Sequence, residues 1–505
     1  AAFAKLLSKS FDEKEAGVAA LSASPHPKAG ELLRGVLDGN LRYLKKQKKL
    51  VYFETRDRAY FAFDALTGEE IGKVSKRKLK RIKVNNKLRA QMRTLLASLA
   101  LKSPDAADRL SAITAMMDRL DGSHVEIIRP LLETETDERV KSALRNALAI
   151  AQLGAASPDE RLRAIQAVSA NLEPSVRHKL KAIAESDPDR RVKDAADTTL
   201  KTIESRVRFY GYVETLFFGL SLGSVLALAA IGLAITFGVM GVINMAHGEL
   251  IMLGAYTTYI VQQLMPEMIG LSVLVAIPAA FVVSGLVGIL IERGIIRFMY
   301  DRPLETLLAT FGVSLILQQA VRTLISPQNV PVANPEFLSG LWQINGALAL
   351  TYNRLYIFIF CLLVFAALMV VLTRTPLGLQ VRAVSQNRAM ARAMGVRSAR
   401  VDALTFGLGS GIAGIAGVAL SQLTNVGPNL GQAYIVDSFM VVVFGGVGNL
   451  LGTLLAGLSL GIANKFMEPW AGAVLAKILV LVFIILFIQK RPRGLFPQRG
   501  RAVEN

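Results

Sequence analysis

The chain has 505 residues, 58 of them Lys or Arg and 39 Asp or Glu, for a net charge of +19, yet 52% are apolar and the mean hydropathy is +0.41. That much charge with positive hydropathy excludes a single soluble globule and excludes an intrinsically disordered chain. One cysteine, Cys361, excludes an intramolecular disulfide and a cysteine-based zinc site, and the histidines at 26, 124, 178 and 247 are too scattered to suggest a metal centre.

The composition breaks at Phe209. Residues 1–208 hold 40 basic and 28 acidic side chains, and residues 209–505 hold 18 and 11. Glycine moves the other way, with 8 before the break and 33 after it. The chain begins on Ala-Ala without a signal peptide, and a cleaved or trimmed start is the expectation.

In chain order, residues 12–38 read as a pair of helices. Residues 51–74, VYFETRDRAYFAFDALTGEEIGKV, are rich in β-branched and aromatic side chains with a Thr67-Gly68 turn, which predicts a small β-hairpin near 50–74. Residues 73–93 carry ten basic side chains and no acidic one. Such a run suits nucleic acid or anionic lipid, but a solvated face or a contact with an acidic partner is the preferred reading. Residues 103–204 read as short amphipathic helices, with Ser103-Pro104-Asp105 and Ser157-Pro158-Asp159 as cap-plus-proline starts. Alternating helix pairs predict a HEAT- or armadillo-like stack.

After the break the pattern changes to long uncharged stretches: 215–246, 269–291, 403–436 and 438–464, with an unbroken apolar run at 355–372. About 20 apolar residues cross a bilayer as a helix, so these are transmembrane segments. Arginine and lysine collect in three places, at 293–302, 374–400 and 490–501, and positive loops stay in the cytoplasm. The predicted path has seven crossings, at about 210–236, 243–264, 270–292, 304–325, 354–373, 402–423 and 473–489. It puts residue 1 outside and residue 505 inside, and nucleic acid is then an unsuitable partner for the exported N-terminal part. The stretch 437–466, interrupted by Gly445-Gly446-Val447-Gly448-Asn449, is read as a broken re-entrant hairpin, with a full crossing as its rival.

No Walker A motif is present, since the one Gly-Lys pair, Gly72-Lys73, is followed by Val74. GxGxxG at 409–414 follows no strand and reads as small-residue helix packing. His247-Gly248-Glu249 matches half of a zinc-deaminase pattern whose PCxxC half is missing. No catalytic residue, metal ligand or cofactor is expected. Three features remain. Asn244, His247 and Glu249 interrupt an apolar segment at 238–256, either facing a cavity or ending helices at the inner surface. Gly445, Gly446, Gly448 and Asn449 break a second one, a pairing that marks transport sites near the midplane, or else packs helices. The loop TPLGLQVRAVSQNRAMARAMGV, 375–396, reads as a short helix from Thr375-Pro376 to a stop at Gly395, suited to lie on a partner.

Together these segments resemble the permease subunits of branched-chain amino-acid-type ABC importers. The resemblance rests on GVINMAHGELIMLGAY, on the 375–396 loop followed by VDALTFGLGSGIAGIAGV, and on VDSFMVVVFGGVGNLLGTLLAG. The N-terminal LVYFETRDRAYFAFDALTGEEIG and RIKVNNKLR, with ETLLATFGVSLILQQAVRTL, look like the urea-type subgroup. The resemblance implies no enzyme activity in this chain. It implies instead a heterodimer with a second permease, two cytoplasmic ATPase subunits and an extracytoplasmic solute-binding protein. It also implies a coupling helix around Gly378, Arg382, Ala383, Asn387 and Gly395. The fold expected is mostly α. A polytopic membrane permease domain, 209–495, contains the cytoplasmic coupling loop, 374–400, and follows an extracytoplasmic helical domain with a β-hairpin, 1–208. A cytoplasmic tail, 496–505, ends the chain.

Urea is the expected solute: it is small and neutral, and its N–H groups need acceptors once stripped of water. Asn244, Glu249, Thr310, Gln318 and Asn449 supply them. A branched-chain or other amino acid is the alternative, and a stand-alone channel or ion-coupled transporter in the bacterial inner membrane the rival class.

Overall fold

The computed structural model describes residues 5, 8, 10–23, 29–44, 49–56, 59–65, 67–74, 79–82, 84–85, 87–89, 92, 96, 100–101, 103–117, 120–300 and 302–496. Much of the basic run 73–93, and the expected tail beyond Phe496, lie outside the described residues. The chain divides into two compact units, Ala1–Val207 and Arg208–Asn505.

The first unit opens with α1 (Phe11–Ala23) and α2 (Ala29–Asp38), followed by β1 (Leu41–Leu44), β2 (Leu50–Arg56), β3 (Ala59–Asp64), β4 (Glu70–Val74) and β5 (Leu79–Arg81). The expected small hairpin near 50–74 is corrected to a five-stranded antiparallel sheet of order β4-β3-β2-β1-β5. Strands β1 and β5 are only four and three residues long and flanked by lysines, so their alternation is too short to read. Burial shows what holds them, because Leu41, Leu44 and Leu79 point inward. The helices of 11–38 are likewise not a pair in a stack. They close the sheet, with Leu32, Leu33 and Val36 sharing a core with Leu41, Leu50 and Ile82. Gly35 lets α2 approach so closely that a Cβ there would stand 2.9 Å from the Tyr52 ring, and the Tyr52 hydroxyl donates to Glu31 O at 3.1 Å.

Beyond the sheet run α3 (Ala106–Met116), α4 (Val125–Thr134), α5 (Glu138–Gln152), α6 (Pro158–Ala167), α7 (Pro174–Ser186) and α8 (Arg190–Met240), which continues into the second unit. Aspartates start several of these helices: Asp105 accepts from Ala107 N–H, Asp137 from Arg139 and Val140 N–H, and Asp189 from Arg191 N–H. Ser103 is therefore not the cap of α3; its hydroxyl accepts from Asp105 N–H and donates to Asp108. Ser157 does precede α6 with Pro158 in the first turn, but without a side-chain cap bond.

Two arginines do the same job twice. Arg109 donates to the carbonyls of Ser103 and Pro104 and forks onto Glu135, and Arg161 donates to those of Ala155 and Ala156 and pairs with Asp187. Each acid lies 26 residues after its arginine.

The second unit contains the rest of α8, α9 (His247–Leu264), α10 (Ile269–Gly294), α11 (Pro303–Leu324), β6 (Leu341–Asn345), β7 (Leu348–Thr351), α12 (Tyr352–Arg374), α13 (Pro376–Gln386), α14 (Arg388–Ala393), α15 (Ser398–Ser421), α16 (Leu430–Gly445), α17 (Leu450–Ala471) and α18 (Ala473–Lys490). Among the described residues seven helices are long and apolar enough to cross a membrane, but they are not the expected seven. Leu450–Ala471 is one of them and His247–Leu264 is not. The reason is composition, since α9 carries His247, Glu249, Thr257, Thr258, Gln262 and Gln263 within 18 residues.

The stretch 437–466, expected as a broken re-entrant hairpin, falls in two helices, α16 and α17, separated at Gly446–Asn449, and α17 is long and apolar enough to cross. Helix α17 lies antiparallel along α8, with Gly448 beside Gly238 and Ile462 beside Gly219. At 1.5 Å per residue the helical part of that overlap, Leu450 to Ile462, is about 18 Å, and α17 runs on to Ala471. The chain also folds back on itself before α9. Gly241 turns the chain at a φ of 69° after α8, and residues 241–246 fold back until His247 bonds Ala229 O. Helix α9 thus begins about 16 Å below the end of α8. Helix α16 begins against it, Gly431 on Gly248, and ends at the Gly446–Asn449 break. Glycines make these approaches: Gly409 meets Gly232, Gly411 the Phe281 ring, and Gly414 both Gly254 and Ala280. GxGxxG here is a helix-packing surface.

Candidate functional site

The fold-back places polar side chains deep among apolar helices. Asn244, His247 and Glu249 are 0–1% exposed. Asn244 Oδ1 accepts from Ala246 N–H at 3.0 Å, which shapes the turn into α9, and its Nδ2 has no partner. His247 Nε2 lies 2.8 Å from Ala229 O. A carbonyl only accepts, so the ring hydrogen is on Nε2, and Nδ1 is left unpartnered. Helix α11 supplies the facing wall. Thr310 Oγ1 accepts from Met245 N–H at 3.1 Å, while Ser314 Oγ and Gln318 Nε2 both donate to Glu249 Oε1, at 3.0 and 2.7 Å. Glu249 Oε2 has no hydrogen-bond partner, and no ion pair reaches this carboxyl among the described residues. One oxygen is held by two donors and the other is open. Such a group accepts an N–H.

Of the sequence-predicted residues, Asn244, His247, Glu249, Thr310 and Gln318 gather in this cluster. Gly445, Gly446, Gly448 and Asn449 do not. They form the joint between α16 and α17: Gly445 packs on Gly452, and Gly446, at a φ of 104°, lies against Phe496 O. Asn449 Oδ1 caps α17 by accepting from Gly452 N–H at 2.9 Å, and its Nδ2 donates to Phe496 O at 3.3 Å. Gly448 and Asn449 instead join Arg382, Ser385, Val239 and Met369 in lining a cavity of about 290 Å³. Ser314 was missed; it lies one turn after Thr310 and one before Gln318, a helical spacing that would have found it.

The 375–396 loop is two short helices, α13 and α14. Thr375 Oγ1 accepts from Gly378 N–H at 3.3 Å, and Gly378 presses so closely on Leu372 that a Cβ would overlap its carbonyl. Arg382 donates to Leu372 O, and Ala383 O accepts the Asn387 N–H. Asn387 caps α14 by accepting from Met390 N–H at 2.9 Å, and Gly395, at a φ of 86°, ends it. Val381, Val384 and Ala391 face inward, while Leu379, Met390 and Met394 stand exposed. A helical loop that buries one face and offers apolar side chains on the other is built to take a partner.

Under this loop lies a buried polar network that the sequence analysis did not single out. Arg388 forks onto Asp402 at 2.6 and 3.0 Å and lies over the Tyr300 ring, 5.2 Å from its centroid. The Tyr300 hydroxyl donates to Glu292 Oε1 at 2.8 Å. Both carboxyls are 1% exposed. Burial, then Asp402 and Glu292, push the Tyr300 hydroxyl well above its ordinary pKa, so it stays a donor. The partners are far apart in sequence, and no local pattern announces them.

The seven membrane-capable helices among the described residues, surrounding a buried polar cluster, are the architecture of a membrane transport protein. Residues 215–488 match the permease component of branched-chain amino acid transport systems, and the chain belongs to that family. It is 32% identical to the high-affinity branched-chain amino acid transport system permease protein BraD of Pseudomonas aeruginosa, over 57% of this chain and 96% of that one. It is 31% identical to the corresponding LivH protein of Escherichia coli K12, over the same shares. The ribose import permease protein RbsC of E. coli K12 matches at 25%, over 54% and 84%. No solved structure matches the chain.

Proposed function

We propose that the chain is one of two permease subunits in an ATP-driven importer, and that its solute is a branched-chain or related amino acid. The names of the Pseudomonas and Escherichia relatives support that solute class, and the matches run over nearly their whole lengths. This reverses the order given by sequence, where urea came first. Urea stays as the second reading on one observation: the N-terminal unit, whose segments carry the urea-type resemblance, lies outside the matched residues 215–488.

The observation that carries the transport reading is Glu249, buried where α9 begins at half depth, with Oε2 open. Asn244, His247, Thr310 and Gln318 line the pathway with it. The cavity of Gly448, Asn449 and Arg382 is its inner mouth, joined to Gly445 and Gly446. Gly378, Arg382, Ala383, Asn387 and Gly395 shape the loop that docks on two cytoplasmic ATPase subunits. The arginine clusters favour a bacterial inner-membrane orientation with this loop and the C-terminus in the cytoplasm. Counting α9 and α16 as partial crossings gives nine passes, which leaves the N-terminal unit outside. There its helices stack in HEAT-like fashion and dock the solute-binding protein or another partner.

The test is reconstitution with the second permease, two ATPase subunits and the binding protein. ATP-dependent uptake of leucine, isoleucine or valine is expected. Uptake of urea alone promotes the second reading. Uptake that persists without ATPase subunits makes the chain a channel or ion-coupled transporter and overturns both.

A further inference from the structure

We propose that Arg388 and Asp402 form the latch that makes the coupling loop and α15 move as one body, and that the Glu249 site is driven through it. The inference rests on the importer reading and adds a positioning pair to it.

The loop helices touch the rest of the unit mainly through small apolar contacts. Val381, Val384 and Ala391 meet Val401, with Val239 and Leu372 beside them. Such a surface slides easily, because methyl groups have no preferred partner. Arg388 is different. It sits in the first turn of α14 and grips both oxygens of Asp402, just past the first turn of α15. A planar guanidinium on a carboxylate fixes orientation as well as distance. Tyr300 lies under the guanidinium and is tied to Glu292 at the end of α10, so the fork is also held from beneath. Arg392 Nε adds a 2.7 Å bond to Ser398 Oγ at the start of α15.

From α15 the contact to the site is direct. Gly414 lies backbone to backbone with Gly254, and Gly417 with Ile251, on the helix that carries Glu249. A Cβ at Gly417 would overlap the Ile251 carbonyl oxygen of α9, and a Cβ at Gly254 of α9 would overlap the Gly414 carbonyl oxygen. Backbones in contact cannot move past one another without displacing their neighbours. A shift of α14 therefore reaches α9 through one polar latch and one steric contact. Contiguity alone does not establish coupling, so the proposal stands on a measurement of coupling.

The complex of this chain with its second permease and ATPases, in proteoliposomes with binding protein, is assayed for solute moved per ATP hydrolysed. Arg388→Lys keeps the charge but loses the fork, and Asp402→Asn keeps the shape but loses the ion pair. Each is expected to lower solute moved per ATP at least tenfold, with the ATPase subunits still bound. The charge exchange Arg388→Asp with Asp402→Arg is expected to recover part of that ratio, which a merely damaged fold would not do. Wild-type solute per ATP in either single variant overturns the latch and leaves the importer reading standing. A wild-type complex with no ATP-coupled uptake overturns the importer reading, and the latch falls with it.

Discussion

Gly248 and Gly431 touch backbone to backbone, so that a Cβ on either would overlap the other's carbonyl oxygen. The contact joins the first turns of α9 and α16, the two helices that begin at half depth. Alanine in an ordinary helix position is favourable over glycine by up to ~1 kcal/mol. Here the extra methyl has nowhere to go, because the obstacle is main chain. Gly248→Ala and Gly431→Ala should each destabilise the protein by about 1–3 kcal/mol, the usual cost of overpacking. Thermal unfolding in detergent checks this, with the helical Gly312, which has nothing near its Cβ position, as the control that loses no stability.

Glu249 lets the pathway be tested without disturbing the helices. Glu249→Gln keeps an oxygen for Ser314 and Gln318 while removing the charge, and should assemble normally. Glu249→Ala takes the acceptor from Ser314 Oγ and leaves Gln318 Nε2 only its long 3.4 Å bond to Ser314 Oγ, at about 1–3 kcal/mol for a donor left buried without a partner. Uptake by the alanine variant is expected to fall at least tenfold while the subunits still co-purify. Uptake at the wild-type rate in Glu249→Ala would remove the residue from the pathway.

The membrane helices were legible because their signal is local: twenty consecutive apolar residues need no tertiary context. The half-depth start of α9 was not. Residues 241–246, GVINMA, carry no charge and read on as helix. Only the positive φ of Gly241 and the distant bond from His247 to Ala229 O turn them back. The same holds for α17, where the glycines after Phe444 do break the helix, but the segment beyond packs antiparallel along α8 as far as Ile462. Asn244, His247 and Glu249 stood out as polar residues in an apolar stretch. Arg388 did not, since it was one basic residue among six in its loop and its partner Asp402 looked like an ordinary helix start. Strands β1 and β5 failed for want of length.

Asn449 separates a capping role from a lining role. Its Oδ1 holds the Gly452 N–H, and a lost cap costs about 0.5–2 kcal/mol. Asn449→Ala should therefore lower the unfolding midpoint, and Asn449→Asp, which caps as well but cannot donate to Phe496 O, should restore it in part. Uptake that falls in the aspartate variant while the midpoint holds would show that the side chain also meets the solute at the inner cavity.

The N-terminal unit has a pH dependence with a definite sign. The Arg109 fork, against the opposing effect of burial and with the N–H groups of Asp137 and Thr136 added, holds the Glu135 carboxyl down at about 2. The ordinary value is 4.5. A carboxyl depressed on folding binds its proton more readily in the unfolded chain, so acid favours unfolding. Its contribution is complete above pH 4.5 and drains away as pH falls toward 2. Amide hydrogen exchange of residues 106–152 in the full chain, corrected for intrinsic rates, should show protection falling across that window. In Glu135→Gln the protection starts lower at neutral pH and changes less on acidification. An unchanged acid slope in that variant would mean that another carboxyl sets the acid sensitivity of these helices.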